Sequence, residues 1–189
     1  MFSTPPIIEF RAPQIWYRLQ RLKPRRDTVR IGGFLLAPPT LPVGRFDLAG
    51  EPTGYLADSP ETALYETVMR REARSCSLSS LRLRALASFA TPGGMRVADV
   101  RGLIEANPVL VSQRYEATQE FAAHCYESGL DGVVYASAQH PQHDCLALFP
   151  LALRKCKRLE HSPLVGGANQ LLRPVVTALR GSMVPLIDE

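Results

Sequence analysis

Glu66, Arg18 and Arg45 are the residues of this chain whose types and positions most invite chemistry. A guanidinium offers phosphate oxygens a planar fork of donors that lysine cannot reproduce, so Arg18 (in WYR) and Arg45 (in GRF) are candidates to hold a phosphate or pyrophosphate. A fixed carboxylate stabilises positive charge that develops in a transition state, a role open to Glu66. Tyr55 adds a ring for stacking and a hydroxyl for hydrogen bonding. Ser137, at the end of an apolar strand, adds a hydroxyl that can face a ligand. Each has a plainer alternative. With 19 arginines in the chain, most are solvated charges. Tyr55 and Ser137 can be a half-buried core ring and a satisfied strand end, and Glu66 with Arg70 at i,i+4 spacing can be a surface pair worth only ~0.3 kcal/mol.

Other chemistries find little support. There is no G-x-G-x-x-G after a strand, no G-x-x-x-x-G-K-[ST] and no G-x-S-x-G, so Rossmann, P-loop and nucleophile-elbow sites are not expected. His140, His143, Asp144 and Cys145 are metal-like residue types, but their spacing matches no closed zinc site, and no metal is expected. The four cysteines contain no C-x-x-C pair and read as reduced thiols. Between Arg11 and Arg30 seven basic residues face one acid, Asp27, a patch able to attract any polyanion. No recognition helix or aromatic stacking series accompanies it. No apolar run approaches the ~18 residues of a membrane span, and the first residues lack a secretory signal pattern, so a cytoplasmic protein is expected.

The elements that must position these residues follow from local pattern. IWYRL at 15–19 reads as a strand carrying Arg18, and 23–42 as a long basic, then Pro/Gly-rich loop leading to Arg45. GYLA is a short strand. Asp58-Ser59-Pro60-Glu61 signals a helix start, with an N-cap candidate, a proline in the first turn and an acid to complement the dipole, and the helix reaching about Arg71. Its apolar stripe is Ala63, Leu64 and Val68, and Glu66 lies beside the stripe, facing a cleft at the domain's edge. LRLRALASF at 81–89 and MRVADV read as strands, 103–108 as loop or short helix, and Tyr115, Thr118, Ala122 and Cys125 as one face of a helix ended by Gly129. DGVVYAS and DCLALFPL are apolar strands, and 174–180 is a helix capped by Gly181. Short strands irregularly interleaved with helices imply one α+β domain spanning 1–189, with a core of about 15–155 and a C-terminal tail of 156–189.

WYR at 16–18, GRF at 44–46, YLADSPETALYE at 55–66 and GLDGVVYAS at 129–137, followed by LALF, together resemble the RES-domain family, named for its Arg, Glu and Ser. The block from Tyr55 to Glu66 is the most specific. The resemblance implies an ADP-ribosyltransferase-like fold with mixed sheets, few helices and a central NAD cleft. It also implies the toxin of a toxin–antitoxin system that cleaves the nicotinamide–ribose bond of NAD, its cosubstrate, and transfers ADP-ribose to a cellular protein. Water or phosphate are the alternative acceptors, making an NAD glycohydrolase or phosphorylase. In this scheme Glu66, Arg18 and Tyr55 are catalytic, and Arg18, Arg45, Tyr55 and Ser137 bind NAD. The implied partner is an Xre-type helix-turn-helix antitoxin whose C-terminal segment blocks the active site and through which alone nucleic acid is met. The chain departs from the family pattern in two places: Gly44-Arg45-Phe46-Asp47 replaces G-R-W-N, and Ala138-Gln139-His140 follows Ser137 where Arg and Gly are common. It also lacks the E-x-E pair of arginine-modifying enzymes, since Leu64 and Tyr65 precede Glu66, which disfavours an arginine acceptor. A non-catalytic module binding nucleic acid or a partner is the reading from a different class.

Overall fold

The computed structural model describes residues 5–40, 42–103 and 115–188. Its frame is an eight-stranded sheet formed by β1 (Ile7–Glu9), β2 (Gln14–Arg21), β5 (Gly54–Ala57), β7 (Arg84–Thr91), β8 (Arg96–Asp99), β9 (Gly132–Ala136), β10 (Asp144–Leu148) and β11 (Lys157–Pro163). The spatial order is β1-β8-β9-β10-β5-β2-β7-β11, antiparallel except for the parallel β8–β9 pair. The α+β expectation therefore holds, as a mixed sheet with five α-helices among the described residues.

The sheet almost parts in its middle. β2 and β7 pair over eight residues, whereas β2 and β5 share a single register pair, Tyr17 with Ala57. The backbone opens on either side of that point, and Arg18 and Tyr55 border the opening. Packing spans the parting, with strands from both sides contributing to shared cores. Trp16, Phe34, Phe89 and Leu146 build one core, in which the Phe34 and Phe89 rings stack at 3.8 Å. Leu19, Leu64, Leu81 and Val175 build a second, and Phe46, Val133, Phe121 and Phe149 a third.

Several local expectations are corrected. The supposed loop of 23–42 contains a hairpin, β3 (Val29–Ile31) and β4 (Phe34–Leu36), closed by Gly32-Gly33 with Gly32 at φ 57°, the positive value such tight turns use. The supposed strand at 81–89 begins as a helix, α2 (Leu78–Arg82), because the Ser77 hydroxyl caps it by accepting from Ser80 N, and only then continues as β7. Ahead of α2, Cys76–Ser77 forms the short strand β6. DCLALFPL is likewise divided: β10 ends at Leu148, and Pro150 opens α4 (Pro150–Lys155) at the helix position where its missing N–H is harmless. Part of the 103–108 segment lies outside the described residues.

Helix α1 (Pro60–Tyr65) is shorter than the sequence suggests, and Ser59 caps it. Its last turn tightens because the amides of Thr67, Val68 and Met69 all converge on the Leu64 carbonyl, leaving Glu66 as the terminal residue. Helix α3 (Glu116–Glu127) buries Thr118, Phe121, Ala122 and Cys125 and ends at Gly129 with φ 76°. The segment after residue 155 belongs to the same body: β11 pairs with β7, and α5 (Arg173–Ser182) packs against α1. Gly181 does not cap α5 but lies inside it, where a Cβ would strike the Tyr65 hydroxyl, and the helix stops at Met183 in left-handed conformation. The final strand, β12 (Leu186–Ile187), pairs with β6.

Candidate functional site

A cavity of about 290 Å³ occupies the parting of the sheet, and Arg18, Arg45, Tyr55 and Glu66 all line it. Four residues from separate parts of the sequence thus meet in one hollow. Ser137 stands immediately behind Glu66.

Arg18 projects from β2 and donates from Nη1 to the Tyr55 carbonyl at 2.7 Å. Its Nε is buried and has no partner among the described residues. Burial lowers its pKa to about 10, offset in part by Tyr55, Tyr135 and Asp47. The group remains cationic at neutral pH, so the cleft holds a desolvated positive charge with donors to spare. Such a charge is costly unless an anion meets it.

Glu66 does not make the surface pair with Arg70 that its spacing allows, because Arg70 bonds Glu72 at 2.8 Å. It is half-buried, and its Oε1 accepts from the Ser137 hydroxyl at 2.5 Å and from Gln139 N at 3.2 Å. Ser137 Oγ in turn accepts from His140 N at 2.9 Å. The serine hydrogen is thus given to Glu66, so this hydroxyl braces the carboxylate.

Tyr55 lines the same hollow and is fixed through its hydroxyl. Its hydroxyl donates to Asp47 Oδ1 at 2.8 Å and accepts from Phe46 N at 2.9 Å, so it braces the turn that carries Arg45. Burial, with the nearby Asp47 carboxylate, raises its pKa well above the usual phenol value. Asp47 Oδ2 gathers the amides of Val43 and Gly44, and Gln119 Nε2 donates to the Gly44 carbonyl at 2.9 Å, tying the same turn to α3. Arg45 itself lies over the Tyr115 ring at 5.9 Å, within cation–π range.

A Cβ at Gly44 would fall 2.5 Å from the Tyr55 hydroxyl and 2.7 Å from Asp47 Oδ1. Gly44→Ala is therefore expected to cost about 1–3 kcal/mol of stability, as overpacking does, and to displace Arg45. Denaturant unfolding checks the first effect, and an unchanged midpoint would contradict it.

Sequence reasoning missed Tyr135, which lines the cavity with its hydroxyl deeply buried. Burial, with Cys145, Tyr55 and Glu66 nearby, raises its pKa well above the phenol value. The signal was available, because period-two alternation along β9 puts Tyr135 on the same side as Ser137. Asp47 and Gln139 were visible only as departures from a family pattern. The metal-like loop is otherwise engaged: His143 bonds Asp58 at 2.9 Å, and Asp144 bonds Arg101 at 2.6 Å. Among the described residues no group of three or more His, Cys, Asp or Glu is arranged to hold a metal ion. All four cysteines are buried free thiols, and no described helix is long and apolar enough to cross a membrane.

The cleft thus combines a buried guanidinium, a second arginine, aromatic walls and one braced carboxylate in a parted mixed sheet. The RES-domain model matches residues 15–168, and the chain belongs to that family. Among solved structures it is similar to a chain in the crystal structure of the M. tuberculosis MbcT–MbcA toxin–antitoxin complex, with a TM-score of 0.63, 17% identity and 92% of each chain covered, a likeness of fold. A comparison with curated proteins finds no match.

Proposed function

We propose that this chain is the toxin of a toxin–antitoxin pair and that it cleaves the nicotinamide–ribose bond of NAD. The observation that carries the reading is the braced Glu66 carboxylate sharing one hollow with a buried Arg18 whose Nε has no partner among the described residues. Family membership supports it, as does the likeness in fold to a toxin–antitoxin complex. Arg18 and Arg45 meet the pyrophosphate. The ring walls of Tyr55 and Tyr135 accept the flat base or sugar. The hollow lies near the lower end of the ~300–1,000 Å³ range of small-molecule sites, so the remainder of the dinucleotide extends along the rim.

In the reaction the bond from ribose C1″ to the pyridinium nitrogen breaks, and its electron pair leaves with nicotinamide, which becomes neutral. Positive charge passes to the ribose ring. Glu66 stabilises that oxocarbenium ion and accepts a hydrogen bond from the 2″-hydroxyl that strengthens as the ring flattens. An acceptor then adds at C1″ and gives up its proton.

A cellular protein is the acceptor that the family resemblance suggested first. One observation favours the alternative of phosphate: Glu66 is the only carboxylate among the described residues lining the cavity, and an ionised phosphate, unlike a neutral side chain or water, needs no second base to deprotonate it. Incubation of the purified chain with NAD is expected to release nicotinamide, and mass spectrometry then separates the fates. Free ADP-ribose marks hydrolysis, ADP-ribose 1″-phosphate marks phosphorolysis, and labelled lysate protein marks transfer. Intact NAD in all three assays overturns the proposal. The partner proposed with it is an Xre-type antitoxin that closes the cleft with its C-terminal segment.

A further inference from the structure

The turn from residue 137 to 143 is fastened to α1 at two points. Ser137 Oγ holds Glu66, and His140 Nδ1 lies 2.7 Å from Thr62 Oγ1. Thr62 and Glu66 are four residues apart and therefore share one face of the helix. Thr62 is fully buried, and its hydroxyl is fixed in turn by the Ser59 hydroxyl at 2.7 Å. On its far side the His140 ring stacks on His143 at 3.8 Å between centroids, with 9° between planes. His143 Nδ1 is held by both oxygens of Asp58, at 2.9 and 3.1 Å, and Asp58 also accepts from Asp144 N. The backbone closes the loop, with Ser137 N donating to the His143 carbonyl at 2.8 Å.

We infer that Asp58, Thr62, His140 and His143 form a clamp whose task is to aim the Glu66 carboxylate through Ser137. His140 is thus a positioning residue: it touches neither the cavity nor the reacting atoms, and acts by presenting its own amide to Ser137 Oγ. The serine oxygen then accepts from the Gln139 and His140 amides, and its hydrogen is given to Glu66. The inference rests on the proposed NAD chemistry for its kinetic consequence, but the clamp itself does not. The feature belongs to this chain's own Ala138-Gln139-His140 sequence, where the family commonly has Arg and Gly.

The clamp is sensitive to acid. Burial lowers the His140 pKa, and His143 lowers it further, while Asp58 and Glu61 partly oppose them. Tyr65 meets the ring edge-on at 4.7 Å, and Arg71 shares the small cavity beside it. The folded chain therefore favours neutral His140. That contribution is complete above the ordinary imidazole value of about 6.5 and is lost as pH falls through the depressed one.

The test is NAD cleavage as a function of pH by wild type, His140→Phe and Thr62→Val, with hydrogen exchange at the Gln139 and His140 amides measured in parallel. Both variants are expected to lose about tenfold in kcat, the scale on which small misplacements act, with KM for NAD nearly unchanged. The acid limb of kcat in wild type is expected to disappear in His140→Phe. His140→Asn, whose Oδ1 stands near the position of Nδ1, should restore part of the rate. Amide exchange in Thr62→Val should rise about tenfold at unchanged melting temperature, the signature of local opening. Wild-type kcat and an intact acid limb in both variants overturn the clamp and leave the NAD reading standing. Wild-type protein that releases no nicotinamide overturns the NAD reading, and the clamp is then decided by exchange alone: unchanged protection in Thr62→Val refutes it.

Discussion

Glu66→Gln is expected to slow nicotinamide release by about a hundredfold to a thousandfold, the range seen when one preorganised electrostatic group is removed from a transition state, while NAD still binds. The reason lies in how the carboxylate is held. One oxygen already serves Ser137 and Gln139, so the other remains to face the cavity. Glutamine can keep its carbonyl oxygen on those two donors, preserving the fold. It then presents an amide donor where the ribose becomes cationic, replacing an attraction with a weak repulsion. Binding of the ground-state dinucleotide depends mainly on the arginines and changes little, so kcat falls and KM does not. A Glu66→Gln protein with the parental rate would show that the carboxylate is not the charge-stabilising group, whatever else the cleft binds.

Replacing Arg18 is expected to separate binding from stability. Arg18→Leu should weaken NAD binding by about tenfold to a hundredfold, the worth of charge-assisted hydrogen bonds. Thermal stability should stay level or rise. Removing a desolvated charge that lacks a carboxylate partner relieves an energy often worth ~1–4 kcal/mol, and loss of the bond to the Tyr55 carbonyl offsets part of the gain. Arg18→Lys retains the charge but not the fork, and is expected to recover only part of the affinity. Titration calorimetry with NAD on the Glu66→Gln background measures binding without turnover, and differential scanning calorimetry measures stability. A large loss of melting temperature in Arg18→Leu, with affinity intact, would assign Arg18 a structural role instead.

These two residues differ in how they could be read. Glu66 announces itself through a strong local signal: a capped, proline-led helix start with an acid off the apolar stripe. Arg18 is one arginine among 19, distinguished in the sequence only by the motif around it. The roles of Ser137 and Tyr55 were legible as positions but not as contacts. Both hydroxyls turned out to serve other protein groups, Glu66 and Asp47, which lie 71 and 8 residues away along the chain. The helix start was likewise legible as a segment and not as contacts: Ser59 caps α1, while the neighbouring Asp58 carboxylate is drawn 85 residues on to His143.

What the amino-acid order determined alone is the α+β class, most element positions and the set of residues able to do chemistry, because alternation, capping and turn preferences act over a few residues and are written locally. What only the tertiary structure decided is which hydroxyl meets which carboxylate, that β2 and β5 touch at one residue pair and part around it, and that Arg18 is left desolvated there with an Nε that no described residue bonds. Those outcomes depend on long-range pairing and burial: the same side chain is a spare donor or a satisfied one according to what a distant strand brings within three ångströms.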